Sequence, residues 1–417
     1  MFLISIFNTK LVKICNNKYN CRIYMIFTML FNFFYNKNYA VILFLLYNVS
    51  LSCNASEAVK IAPSSDPIYE VAVDPVLLAS DNGSLNEKTT IIFLQKAYQQ
   101  GILLKEAPDF PDPTCIQAKE LGSKGANTLK LFAIQVSPAC LEDHNPIHED
   151  YATQFILKEM GRNDEAMNLH KVKNSELVGL APGKNKSGQD NLPTLAFQHH
   201  NLSYKDLNKK THVLSLLHAA KGEEMKYLHN QLAIYHKYDT TNLPQYTYTK
   251  EFLTNAFYST GRSLGAMHYK YMEPKGAIFG LTHVHADLHM ENVFFDGKEV
   301  TFIDNETFVI SLREKQSILV DVTRFIGFTI SHPSARYQHS ADIPAEVWRE
   351  VAVEPFIKGY IAGYPADKKN QVTTKLKDLL LNLSAGELGT LWRFPADAAL
   401  WETAKEKYLR PIFSKLG

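Results

Sequence analysis

Between Thr282 and Glu306 the chain gathers residue types that can do chemistry: His283, His285, Asp287, His289, Asn292, Asp304 and Glu306. Asn292 to Phe295 and Lys298 to Ile303 read as strands, and Asp296-Gly297 between them is a two-residue hairpin signal. That turn would set Asn292 opposite Thr301. Asp304 then falls just past the pair, at the open end of the ribbon, beside the loop that carries Asp287. Two carboxylates and a carboxamide at one hairpin mouth suit a hard cation such as magnesium, which prefers oxygen and needs few protein ligands. The carboxylate not holding metal can accept a proton from a hydroxyl.

His285-x-Asp287, Asn292 five residues later, an apolar strand and then Asp304 resemble the catalytic loop of the protein-kinase-like superfamily. Asp287-Leu288-His289-x-x-Asn292 is similar to the form used by aminoglycoside phosphotransferases and choline kinases. Ile303-Asp304 followed by Glu306 looks like their metal-binding segment, although Asn305 stands where those families usually carry an aromatic residue. The resemblance implies a catalytic site of Asp287, which orients or deprotonates the acceptor hydroxyl, and His285, which supports the loop. It implies that Asn292 and Asp304 hold Mg2+ on the phosphates of ATP. A competing likeness exists. Thr282-His283-x-His285-x-Asp287 resembles the start of the metallo-beta-lactamase zinc motif, but Leu288 occupies the place of its next histidine and His289 arrives one residue late.

The same resemblance implies ATP-holding groups upstream, in a fixed order. Leu121 to Asn127, with Gly125 and Asn127 shaping a tight turn before the strand Thr128 to Val136, is similar to a nucleotide-covering turn. Gln154 to Lys158 is a strand ending in lysine, and Glu165 opens a helix, so Lys158 and Glu165 resemble the phosphate-binding pair. Lys130 is a rival lysine in the preceding strand. His212 to Gly222 resembles the lobe-connecting hinge, where Ala219 and Ala220 are small enough to admit an adenine ring. Asp321 occupies the place of a residue that braces the catalytic loop, and Gly261 to His268 reads as helical core.

These groups need elements to position them. The 417 residues, 46% hydrophobic and 12% aromatic, can bury one large core or two joined ones. Short strand-like runs (Thr128 to Val136, Tyr151 to Met160, His212 to Leu217) give way to helical patterns over Phe252 to Tyr271, Val347 to Tyr360, Thr373 to Leu383 and Asp397 to Tyr408. The expected fold is α+β and two-lobed, kinase-like by resemblance. A small antiparallel-sheet lobe spans 114–222 and a larger, mostly helical lobe spans 223–417. Residues 56–113 read as an N-terminal extension with one helix, Thr89 to Leu104.

The first 56 residues carry Lys10, Lys13, Lys18, Arg22 and Lys37 and no acidic residue. With the apolar run Tyr39 to Leu51 and small residues around Ala55, they read as a signal peptide over 1–55, with Met25 and Met29 as alternative starts. An uncleaved anchor and a lipoprotein cleavage at Cys53 are the other readings. The expectation is a secreted or exported chain with no stable membrane span after cleavage. Cys115 and Cys140, which flank a predicted hairpin, are then the remaining cysteines, bridged or simply packed. Forty-four basic residues against 43 acidic ones give no field that points to nucleic acid.

The expected partners are therefore ATP and a hydroxyl-bearing acceptor, small molecule or protein. Nucleotidyl transfer on the same fold, a non-catalytic nucleotide-binding module and a zinc hydrolase are the alternatives.

Overall fold

The computed structural model of the chain describes residues 68–78, 84–104, 110–122, 128–140, 152–182, 191–330, 342–392 and 398–416. The leader readings, Gly125 and Asn127 lie outside these. The fold is α+β.

A six-stranded sheet occupies the N-terminal part. Its strands are β1 (Tyr69–Glu70), β2 (Ile116–Gly122), β3 (Thr128–Val136), β4 (Ala152–Met160), β6 (Gln198–Lys205) and β7 (Thr211–His218), in the order β1-β6-β7-β4-β3-β2. β5 (Thr194–Leu195) belongs to a second sheet. All neighbours in the large sheet run antiparallel except β1, which pairs with β6 in parallel. The sheet is thus mixed rather than antiparallel throughout, because the strand before the first described helix pairs in parallel along its edge.

That helix is α1 (Glu87–Gln99), started by a capping box between Asn86 and Thr89. Phe93, Leu94 and Ala97 on its inner face pack with Phe132, Ile134, Phe155, Leu157, Leu202, Tyr204, Leu214 and Leu216 of the sheet. Each such large side chain contributes roughly 1.5–3 kcal/mol by leaving water. Residues 68–104, read from sequence as an extension, therefore supply both an edge strand and one wall of the sheet's core. A disulfide joins Cys115 and Cys140.

After β4 comes α2 (Asn163–Lys173). The chain then passes through β8 (Glu223–Glu224) into α3 (Met225–Lys237), α4 (Pro244–Tyr271), β9 (Leu281–Thr282), β10 (Val293–Phe295), β11 (Val300–Phe302), α5 (Val309–Arg313), β12 (Gln316–Ser317) and α6 (Leu319–Ile330). Then follow α7 (Ala345–Trp348), α8 (Glu354–Ala362), α9 (Lys369–Asn382), α10 (Ala385–Trp392), α11 (Ala398–Ala404) and α12 (Arg410–Leu416). A large apolar cluster runs through this part, from Leu253 and Phe257 to Phe325, Trp348, Phe356 and Trp401.

The hairpin β10–β11 differs in register from the expected one. Phe294 faces Thr301, and Asn292 O accepts from Ile303 N at 3.1 Å, so Asn292 lies opposite Ile303. The turn is four residues long because Asp296 Oδ1 accepts from the N–H groups of Lys298 (2.9 Å) and Glu299 (2.6 Å). That carboxylate turns the chain in place of two further strand residues. The shift brings Asn292 alongside the residue just before Asp304. Among the described residues no helix is long and apolar enough to cross a membrane.

Candidate functional site

The loop between β9 and β10 is held from α6. Asp321, at the first turn of that helix and fully buried, accepts from His285 N and Ala286 N at 2.8 Å each and from His268 Nε2 of α4 at 3.1 Å. Ala286 has φ of 62°, a left-handed conformation unfavourable for a residue with a Cβ. The two amide bonds to Asp321 hold it there. His285 Nε2 meets Ile303 O at 2.8 Å, and its Nδ1 lies 3.5 Å from Thr307 Oγ1. Burial pushes the imidazole below its ordinary pKa, against the pull of Asp321. A neutral Nε2–H donor follows. His285 thus ties the loop to the end of β11.

Asp287 projects from this loop, partly exposed. Its Oδ1 lies 2.6 Å from Arg324 Nη2 of α6, and His289 Nε2 is 3.8 Å from Oδ2. Burial works against its ionised form, but His289 and the Arg324 guanidinium outweigh it and hold the carboxyl below the usual range. Asn292 Nδ2 donates to Asp287 O at 2.9 Å and lies 3.2 Å from His289 Nε2. Both contacts use the amide nitrogen, which leaves the carbonyl oxygen as the atom suited to a cation.

On the facing side, Lys158 of β4 is 6% exposed and sits among three carboxyl groups: Glu165 at 2.6 Å, Asp304 at 3.3 Å and Glu306 at 3.9 Å. Burial alone favours the neutral amine, yet Asp304, Glu306 and Glu165 prevail and keep Lys158 protonated well above the ordinary lysine range. Asp304, with φ of 55° and ψ of 45°, is left-handed like Ala286 across the site. Strain of this kind clusters at sites where geometry matters more than comfort. Glu306 is pushed up to about 8 by burial and then by Asp304, with Lys158 opposing.

Lys158 faces three carboxyl groups, and Glu165 Oε2 and Glu306 Oε2 are buried without a hydrogen-bond partner. These orphaned oxygens and the exposed Asp304 carboxylate fit an added divalent cation. No group of three His, Cys, Asp or Glu side chains with metal-ligand geometry occurs among the described residues. The Asp304 carboxylate and the Asn292 carbonyl oxygen are the hard oxygen donors that a magnesium ion would use here.

Of the residues picked from sequence, Lys158, Glu165 and Asp304 meet directly, and Asp287, Asn292 and His285 are linked to one another and to Ile303 through the bonds above. Lys130 is elsewhere, its Nζ bonded to Leu85 O at 2.6 Å. Ala219 and Ala220 are half-buried in the connection between β7 and β8, and Ala219 N already donates to Gln154 O at 2.8 Å. That amide is therefore not a donor for a nucleotide base. The zinc grouping is not assembled: His283 Nε2 meets Glu176 at 2.5 Å, and His285 Nε2 is taken by Ile303 O.

Sequence reasoning gave no role to Arg324 or Phe328, although they lie three and seven residues after Asp321. That helical spacing puts all three on one face of α6 and was the available signal. The chain matches no family model and no curated protein.

Proposed function

We propose that the chain is an ATP- and magnesium-dependent phosphotransferase of the two-lobed, kinase-like kind, acting on a hydroxyl group. The observation that carries this reading is the contact of Lys158 with both Glu165 and Asp304, 146 residues further on, at the mouth of the hairpin that Asn292 opens. Such a lysine, permanently charged and steadied by a helix glutamate, is suited to hold phosphate oxygens. Asp304 and the Asn292 carbonyl oxygen would hold Mg2+. When bound, that ion neutralises charge on the phosphates.

Asp287 supplies the acceptor side. Ionised and fixed by Arg324, it orients a hydroxyl and takes its proton as the new oxygen–phosphorus bond forms and the bond to ADP breaks. A carboxylate so acidic is a weak base, so its part is chiefly orientation, as a loose transition state requires.

The test is magnesium-dependent ATP binding by calorimetry, with turnover followed using γ- and α-labelled ATP. Lys158→Met and Asp304→Asn should each weaken Mg·ATP binding by at least about tenfold, the loss of one charge-assisted contact. Asp287→Ala should keep binding and lose transfer by about a hundredfold or more. Binding that is indifferent to both Lys158 and Asp304 would falsify the assignment. Label entering product from the α position instead would make the chemistry nucleotidyl transfer.

A further inference from the structure

Glu165 can steady Lys158 only if α2 is held at a fixed height and rotation over the sheet. The helix has little local means to fix either. It starts without a side-chain cap, since Arg162 before it makes no capping bond. The apolar cluster between α2 and the sheet is small, made of Met160, Ala166, Leu169 and Val213, and apolar contact is not directional.

Hydrogen bonds from the sheet supply the direction. Lys158 of β4 pairs with Ser215 of β7, and Ser215 pairs with Asn201 of β6, so the three side chains stand in one row across the sheet. At one end of the row Lys158 Nζ meets Glu165 Oε1 at 2.6 Å. At the other end Asn201 Nδ2 donates to the carbonyl of the next helix residue, Ala166 O, at 3.2 Å. Two successive residues of α2 are thus gripped from the two ends of a single row. The Asn201 amide is itself oriented: Ser215 Oγ donates to its Oδ1 at 2.7 Å, Gln198 Nε2 contacts the same oxygen, and Gln198 Nε2 also donates to Ser215 Oγ at 3.1 Å. All three side chains are buried, where a directed bond is stronger than in water.

We propose that Asn201 is a positioning residue for nucleotide binding: by holding the carbonyl next to Glu165 it aims the Glu165 carboxylate at Lys158, and so keeps the lysine in place for phosphate. The inference rests on the phosphotransferase reading and extends its phosphate-holding pair to a residue on a third element, β6.

The experiment is a double-mutant cycle. Mg·ATP affinity is measured by calorimetry on wild type, Asn201→Leu, Glu165→Ala and the double variant, with thermal melts to check folding. Glu165→Ala should weaken binding by about tenfold and Asn201→Leu by about threefold or more. The double variant should bind within about twofold of Glu165→Ala, because Asn201 then has no carboxylate left to aim. A residue that only steadies the sheet would instead multiply its loss with that of Glu165→Ala. Multiplied losses, or an Asn201→Leu affinity equal to wild type, overturn the proposal. Should Asn201→Leu not fold, Asn201→Ser, one bond shorter and still polar, carries the same cycle and is judged in the same way. Failure of wild type to bind Mg·ATP removes the phosphotransferase reading and this role with it, a result distinct from binding that ignores Asn201.

Discussion

Glu306 shows how one buried carboxyl can report on the whole site. Its pKa of about 8 in the folded chain lies above the ordinary 4.5. Between those values the folded state binds more protons than the unfolded state, so stability must fall as pH rises from about 4.5 to about 8. The slope amounts to at most about 1.4 kcal/mol for each pH unit in that window. Glu306→Gln should flatten it, as measured by urea melts at a series of pH values. Magnesium, by offsetting the same negative charge, should stabilise wild type more at pH 8 than at pH 6. An equal effect at both would mean that the ion binds away from this cluster. Lys158 obeys the converse logic: Lys158→Met leaves three carboxyl groups facing one another, and breaking such a buried pair costs roughly 3–5 kcal/mol unless protons are taken up.

At the scale of elements, the site depends on how closely α4 and α8 cross. A Cβ on Gly261 would come within 2.1 Å of Phe356 O and one on Gly265 within 2.3 Å of Tyr360 O. From the other helix, Gly359 would meet Tyr258 O at 2.0 Å and Gly363 would meet Arg262 O at 2.4 Å. Two glycine pairs four residues apart thus let the backbones touch. This contact sets Tyr360, whose hydroxyl lies 2.9 Å from His268 Nδ1, and so the Asp321 brace. Gly261→Ala should push the helices apart and destabilise the fold by about 1–3 kcal/mol, the usual range for overpacking, with Asp287-dependent turnover falling as well. A melting temperature equal to wild type would refute the close crossing.

The spacing of these glycines was visible in the sequence, but a helical pattern does not say what the face meets. The strand β6 was not legible for the opposite reason. Gln198-His-His-Asn-Leu-Ser-Tyr-Lys205 looks like a polar loop, yet Asn201 and Gln198 bond to each other, and Asn201 bonds to Ser215 and Ala166 O inside the protein. Polar satisfaction across strands cannot be read from one of them. The loop of Asp287 and the pairing of Lys158 with Glu165 were legible because the family resemblance that implies them is carried by short, local motifs. Glu306 was legible in the same way, two residues after Asp304, whereas the charge partner Arg324 belongs to the fold's long-range geometry.

Over the whole molecule, the described chain joins a sheet to a helical body across the Lys158 contacts, and the sheet has its own fastening far along β2 and β3. Cys115 and Cys140 close a 25-residue span at the outer end of that hairpin, with Ser137 N donating to Cys115 O at 2.9 Å. Constraining the unfolded chain over such a loop contributes about 3 kcal/mol. The same hairpin packs against α1 through Ile116, Phe132 and Ile134, so loosening it should unsettle the sheet core first. The Cys115→Ser, Cys140→Ser double variant should therefore unfold at lower denaturant, and wild type should lose a comparable amount on reduction while the double variant does not respond. Mg·ATP should restore part of the loss, because a ligand held by Lys158 on β4 favours the intact sheet. If Mg·ATP stabilises the helical body alone, leaving amide exchange in β3 and β4 unchanged, then the nucleotide is not held by Lys158, and the sheet's role in the proposed reaction falls with it.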